Sequence, residues 1–292
     1  MMLYLYLFIS FILISAIFYS GLVLLLYIRS KRYHTIKEQP LEAFTLAKFI
    51  RFVLQLFKGI MLFIYWGFAK SSQNRLIHPI QENDNSHVLC VHGFHVNGSC
   101  FWGMRKFLRN EGFSSSAIHL GLPYIKVQRY VDKLAKIISI AASNSPTGKI
   151  HIVAHSMGGL IIRMLLQQSP QYADKLSSII TLGTPHKGTA TVRKNYITWI
   201  RELFHTDSDL IVQMEDFHAL APQVPATTIA SRHDLVVYPA INAHTSKANN
   251  ITVDWMSHMG LLTEQSSQQL VYDCLDMAES SSNTTSHKNR GN

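Results

Sequence analysis

Paired cysteines, phosphate-binding loops and acidic residues are all scarce in this chain, and each scarcity closes off a class of protein. Three cysteines, Cys90, Cys100 and Cys274, stand in 292 residues with no CxxC spacing. Neither a disulfide framework nor a zinc ribbon is expected, and the thiols read as small buried hydrophobes. The sequence holds no HExxH and no clustered Cys/His pair, so no metal is expected, and no cofactor. Gly158 and Gly159 follow an apolar run without a Walker lysine after them, which argues against a nucleotide-phosphate loop. Charged residues make up 15% of the chain against 47% hydrophobic, a balance that excludes a disordered protein and supplies a sizeable core.

Charge is also missing locally. Residues 1–28 carry none, and a helix needs only about 20 apolar residues to cross a bilayer, so this run is expected to span. It lacks the basic start and small-residue cleavage site of a signal peptide, which makes it an uncleaved anchor. Arg29, Lys31, Arg32 and Lys37 follow it and no Lys or Arg precedes it. The positive-inside rule then predicts a single-pass membrane protein with its remaining domain in the cytoplasm. Residues 29–75 hold nine Lys/Arg against Glu38 and Glu42, a surplus of seven within the chain's net +9. Basicity beside an apolar run suits anionic lipid headgroups. The rest of the chain is nearly balanced and has no basic stripe, so no nucleic-acid partner is expected.

Within that segment Lys48, Arg51, Gln55 and Lys58 recur at intervals of three, four and three, which lines one helical face. Phe49, Phe52, Val53, Leu56, Phe57 and Ile60 surround it, a pattern that predicts a helix lying in the membrane interface with its cations at the headgroups. Two alternatives stay open. Residues 53–69 form a second span with Lys58 snorkelling, which returns the following domain to the periplasm; or the helix is amphipathic and packs on the globular part.

Beyond a polar linker, residues 76–278 alternate strand-like runs (87–91, 117–120, 150–153, 178–182) with helical patterns (105–110, 131–142, 160–167). Such alternation predicts βαβ units and a mainly parallel sheet covered on both faces, a three-layer α/β domain preceded by N-terminal hydrophobic helices. Residues 279–292 are polar and are expected to form a disordered tail.

Chemistry in such sheets gathers where strands end. In "KIHIVAHSMGGLIIRMLL" a lone serine, Ser156, sits where a β-branched run gives way to a helical one. A serine on so tight a turn takes a strained backbone and needs small neighbours, which Ala154 and Gly158 supply. The helix starting at Met157 points its positive end toward the hydroxyl.

"AHSMGG" resembles the nucleophile elbow of the α/β-hydrolases in the AxSxG variant of bacterial triacylglycerol lipases, with Ala154 in place of the usual glycine. "VLCVHGFHVNGSCFW" resembles that family's strand and oxyanion loop, and "TLGTPHKGT" the segment after its next strand. The similarity covers residues 87–275, about two thirds of the chain. It implies an α/β-hydrolase fold and a triad whose chain order is serine, acid, histidine. Asp234 in "RHDLVVYP" resembles the acid-bearing loop, with Asp209 and Asp216 as rivals; His258 in "SHMGLL" resembles the catalytic histidine segment. The resemblance also implies an oxyanion hole from the backbone N–H groups of Phe94 and Met157.

His92 in the oxyanion loop and His155 beside the serine are further site candidates. His92 is expected mainly to brace its loop, and His155 to point away from the nucleophile. His186, His233 and His244 fall in nearby loops. Residues 187–222 place Tyr196, Ile197, Trp199, Ile200, Leu203 and Phe204 at helical spacing, which predicts a small cap whose Trp199 and Phe204 touch substrate, or else an ordinary packing helix. The expected function is a membrane-anchored serine hydrolase (lipase or esterase) of lipid-like carboxylic esters, partnered by its ester substrate and by membrane lipids through its N-terminal helices. An acyltransferase or thioesterase using the same acyl-enzyme, and a non-catalytic scaffold, are the alternatives.

Overall fold

The computed structural model describes residues 45–68, 85–121 and 126–288. The expected anchor over 1–28 and most of the linker fall outside these residues. Six strands, β1 (Asn85–Val91), β2 (Phe113–Ile118), β3 (Ile150–His155), β4 (Leu176–Leu182), β5 (Ala226–Ser231) and β6 (Asn249–Val253), form one sheet in the order β2-β1-β3-β4-β5-β6. Every neighbouring pair is parallel. Parallel pairing requires a crossover between neighbours, and the helical runs provide them: α2 (Trp102–Asn110), α3 (Val127–Ser143) and α4 (Met157–Gln168).

Strand alternation divides the core into two layers. Leu89, Val91, Ile152 and Ala154 face one side and pack with Val131, Leu134 and Ile138 of α3 and Leu160 and Leu165 of α4. Val88, Cys90, Val153 and Ile180 face the other and pack with Met104 and Leu108 of α2 and with Val271 and Leu275 of the last helix. Each fully buried aliphatic contributes about 1.5–3 kcal/mol. Histidines set into the sheet are tolerated because each is bonded: His87 reaches Ser114 and Ser116 at 2.9 and 2.7 Å, and His151 reaches Ser178 at 2.7 Å.

Two elements depart from expectation. Beyond α5 (Thr198–Phe204) and β6, the last helix of the described residues, α6, runs Gln265–Lys288. The polar stretch from residue 279 therefore continues as helix to Lys288 rather than as a disordered tail. One tie is Glu279, whose Oε1 bonds the second nitrogen of the buried His151 at 2.6 Å. The first helix among the described residues, α1 (Leu46–Phe68), packs one face on the globular unit, as the amphipathic arrangement expects. Phe52 is fully buried, edge-on to Trp255 and His233, and Lys58 pairs with Glu264 at 3.7 Å. The expected division into a membrane face and a cation face is thereby corrected: Phe52 and Gln55 are turned into the protein, while Leu46, Ile50, Leu54, Phe57 and Met61 are exposed. Among the described residues no helix is long and apolar enough to cross a membrane.

Candidate active site

Ser156 follows directly on β3 and leads into α4 with φ 54° and ψ −125°, a conformation that costs a non-glycine residue roughly 1–3 kcal/mol and persists only when its surroundings hold it. They do. Its N–H donates to the Leu182 carbonyl at 2.9 Å and its own carbonyl accepts from Thr184 Oγ1 at 2.9 Å. A Cβ on Gly93 would lie 2.7 Å from that of Ser156; one on Gly158 would strike the Val91 carbonyl, and one on Gly159 the Thr184 hydroxyl. The small residues around the serine are thus demanded by the close approach of three strand ends. The backbone N–H groups of Phe94 and Met157 have no hydrogen-bond partner among the described residues.

Asp234 lies just past β5 and is buried. Its Oδ1 accepts the N–H groups of Val236 and Val237 at 2.7 and 3.0 Å, and its Oδ2 accepts from His258 Nδ1 at 2.6 Å. One carboxylate therefore closes its own turn and orients the imidazole. Gly183, with φ +53°, passes so near that a Cβ there would sit 3.0 Å from Asp234 Oδ2 and 3.1 Å from His258 Nδ1. Because Nδ1 is committed to the acid, Nε2 is the ring nitrogen left for a reacting proton. Ser156 and His258 line the same cavity, and Ser156 Oγ makes no hydrogen bond among the described residues. The structure thus joins Asp234 to His258 directly and brings Ser156 to the cavity that His258 lines. The rival Asp216 instead accepts from Ser246 at the surface.

That cavity has a volume of about 490 Å³ and a mainly apolar lining. Phe204 and Ile200 of α5 form part of its wall, but Trp199 does not; it packs against Phe94 with ring centroids 5.3 Å apart. Tyr196 and Ile197 point outward, 48% and 64% exposed. His92 is also absent from the wall. Its Nδ1 donates to the Gly93 carbonyl at 2.7 Å and its Nε2 accepts from the Leu120 N–H at 2.9 Å, so it braces the loop after β1. Burial pushes it down to about 4, which keeps it neutral in that role.

His155 reaches the cavity wall but is 1% exposed. Its Nε2 donates to the His258 carbonyl at 3.0 Å, and the two rings lie 4.5 Å apart. Burial, reinforced by the nearby His258, holds its affinity for a proton well below the ordinary imidazole range. A neutral His155 adds no positive charge against an imidazolium forming on His258.

His186 braces its own loop. Its Nε2 meets Thr181 Oγ1 at 3.0 Å and its carbonyl accepts from Arg163 at 2.7 Å. Arg163 is itself buried and also donates to the carbonyls of Met214 and Glu215 at 2.6 and 3.0 Å. Burial pulls it down to about 10, opposed by Asp216 and Glu215.

The residues missed by sequence reasoning come from α1. Gln55 donates through Nε2 to the Trp255 carbonyl at 3.1 Å and accepts the Ser257 N–H on Oε1 at 2.9 Å. It clasps the loop that ends in His258. Leu56, Gly59 and Ile60 of the same helix line the cavity. Gln55 did carry a signal, as the one uncharged polar residue within a row of three cations. Among the described residues no group of three or more His, Cys, Asp or Glu is placed to hold a metal ion.

A PGAP1-like alpha/beta domain matches residues 118–260. No curated protein matches the chain. Among solved structures it is similar to Aspergillus fumigatus lipase B, at 15% identity and TM-score 0.51 over 68% of this chain; the alignment spans 55% of the lipase, just over half its length. It is also similar to Bacillus licheniformis lipase BlEst2 in mature form, at 16% identity and TM-score 0.50 over 70% of this chain and 96% of that one. The ydeN gene product from B. subtilis matches at 18% identity and TM-score 0.50, over 67% of this chain and all of the other. At such identities the likeness is one of fold. With a six-stranded parallel sheet and a strand-to-helix elbow at Ser156, the chain has the α/β-hydrolase fold.

Proposed function

We propose that the protein is a serine hydrolase that cleaves carboxylic esters of lipid-like substrates through an acyl-enzyme on Ser156. The observation that carries this reading is the convergence of a strained serine and a hydrogen-bonded Asp234–His258 pair on one apolar cavity. Ser156 Oγ attacks the ester carbonyl while His258 Nε2 takes its proton, and Asp234 holds the ring and stabilises the imidazolium. The oxyanion is received by the N–H groups of Phe94 and Met157, each such donor typically worth about 3 kcal/mol in the transition state. His258 then protonates the leaving alcohol. Water, deprotonated by the same nitrogen, releases the acid and restores the hydroxyl.

The apolar wall favours an acyl chain over a polar substrate, and the lipases among the similar folds support an ester as the scissile group. The same reading seats the protein at a membrane, its uncharged residues 1–28 spanning once and its basic flank holding the catalytic unit on the cytoplasmic side.

The test is labelling of the purified chain with a fluorophosphonate, followed by hydrolysis of esters of graded chain length. Labelling is expected in the wild type and lost in Ser156→Ala, with medium or long acyl chains preferred over acetate. A chain that takes no label, or that labels equally in Ser156→Ala, overturns the proposal.

A further inference from the structure

The helix α1 has two faces, and each is engaged differently. Its inner face enters the site. Gln55 bridges the Trp255 carbonyl and the Ser257 N–H, Gly260 leaves room where a Cβ would collide with Gln55 Oε1, and Ser257 Oγ accepts the Gly260 N–H at 2.9 Å. Trp255, whose carbonyl is one of the clasped groups and whose ring stacks on His233, has φ 54°. The loop carrying His258 is therefore strained and pinned by a side chain two hundred positions away. The outer face is a stripe of Leu46, Ile50, Leu54, Phe57 and Met61, between 45% and 66% exposed. These residues recur at intervals of three and four and so share one side of the helix. Arg51 and Lys58 follow one edge of the stripe, and Leu56 and Ile60 pass from the same helix into the cavity wall.

We infer that α1 seats this stripe on an anionic phospholipid bilayer and, through Gln55, holds the His258 loop, so that the site is assembled at the surface that delivers its substrate. The occupant is argued from charge. Arg51 flanks the stripe, with Lys58 beside it sharing its charge with Glu264, and residues 29–75 carry a surplus of seven positive charges; an apolar stripe edged by cationic charge is matched by acyl chains beneath anionic headgroups. Gln55 is a positioning residue, since it acts on His258 only through the loop. The coupling rests on the proposed hydrolase, whereas the docking does not.

Docking is read in the full chain bearing Ser156→Ala, with an environment-sensitive fluorophore on Leu54→Cys, on Phe57→Cys or, as a control, on the exposed Val212→Cys; the native thiols are buried. In phosphatidylglycerol vesicles the first two labels are expected to shift to the blue and to lose several-fold of their quenching by acrylamide, while the control stays aqueous. Adding Arg51→Glu is expected to weaken that shift. Labels as accessible as the control overturn the docking. Shielding that rises with the protein-to-lipid ratio also overturns it, because a second copy then covers the stripe.

Coupling is read by fluorophosphonate labelling of the otherwise wild-type chain. Gln55→Met keeps the shape but loses both hydrogen bonds, and is expected to slow labelling about tenfold or more at temperatures below its melting transition. Gln55→Glu, which still accepts the Ser257 N–H, is expected to recover part of the rate. A Gln55→Met chain that labels at the wild-type rate, or a loss fully explained by melting, overturns the coupling. Absence of label in the wild type overturns the hydrolase reading and the coupling together, while the fluorophore positions decide the docking by themselves.

Discussion

The two halves of the site are held by different means. The serine half is built by the sheet: Ser156 is fixed from Leu182, Thr184 and the backbone around Val91 and Gly93, all at the ends of neighbouring strands. The histidine half leans on α1, whose Gln55 reaches across 200 residues of sequence to Trp255. Both contain a non-glycine residue at positive φ, Ser156 and Trp255. Only the first is clamped by the deepest part of the core. An element pinned from a helix with an exposed outer face opens at lower cost than one wedged between strands. Ser156 is therefore the fixed partner and the His258 imidazole the adjustable one.

The strongest challenge to that contrast acts on the histidine half by chemistry alone. Asp234→Asn keeps an oxygen for the Val236 and Val237 N–H groups but loses the carboxylate that orients and charges the His258 pair, so kcat is expected to fall about 10⁴-fold with little change in melting temperature. Steady-state ester hydrolysis and thermal unfolding together check this; a small loss of activity would remove Asp234 from its role. Acid probes the serine half. Burial lowers His92 to about 4, whereas an unfolded histidine titrates near 6.5, so between these values the unfolded chain binds more protons and stability falls as pH falls.

The loss by pH 4 is expected to be on the order of 3 kcal/mol from His92; His155 and His186, also held neutral chiefly by burial, act in the same direction. Urea unfolding at a series of pH values below 7 measures it, and a flat profile contradicts it. The smallest effect is expected from Thr184→Val, which preserves shape and removes one hydrogen bond to the Ser156 carbonyl. About 1 kcal/mol of stability should be lost, with slower fluorophosphonate labelling as the elbow loosens. A variant as stable and as reactive as the wild type would show that the strand ends suffice without the hydroxyl.

The same contrast explains what could be read from the sequence. The elbow is contiguous, and its constraints are steric demands on adjacent positions, so Ala154, Ser156 and Gly158 announce it. The parallel sheet was legible for a similar reason, since strands buried on both faces appear as short apolar runs. Asp234 and His258 are named through resemblance and motif order rather than through any local signature. What stayed hidden depends on long-range packing. Nothing in the spacing of α1 distinguishes a glutamine facing headgroups from one clasping a distant loop, and its Phe52 reads as well in lipid as in a core. Trp199 shows the converse error: its helical spacing with Phe204 was visible, but which of the two reaches the cavity depends on where Phe94 already stands.

Arg163 sets a practical limit on redesign. Its guanidinium, sealed inside the domain, is held by the main-chain oxygens of residues 186, 214 and 215. Any replacement of residues 187–222, of whatever length, must return the oxygens of residues 214 and 215 and the Asp216 carboxylate to that fork or leave a stranded cation beneath the helix that follows Ser156, and this segment is accordingly less exchangeable than its surface position suggests.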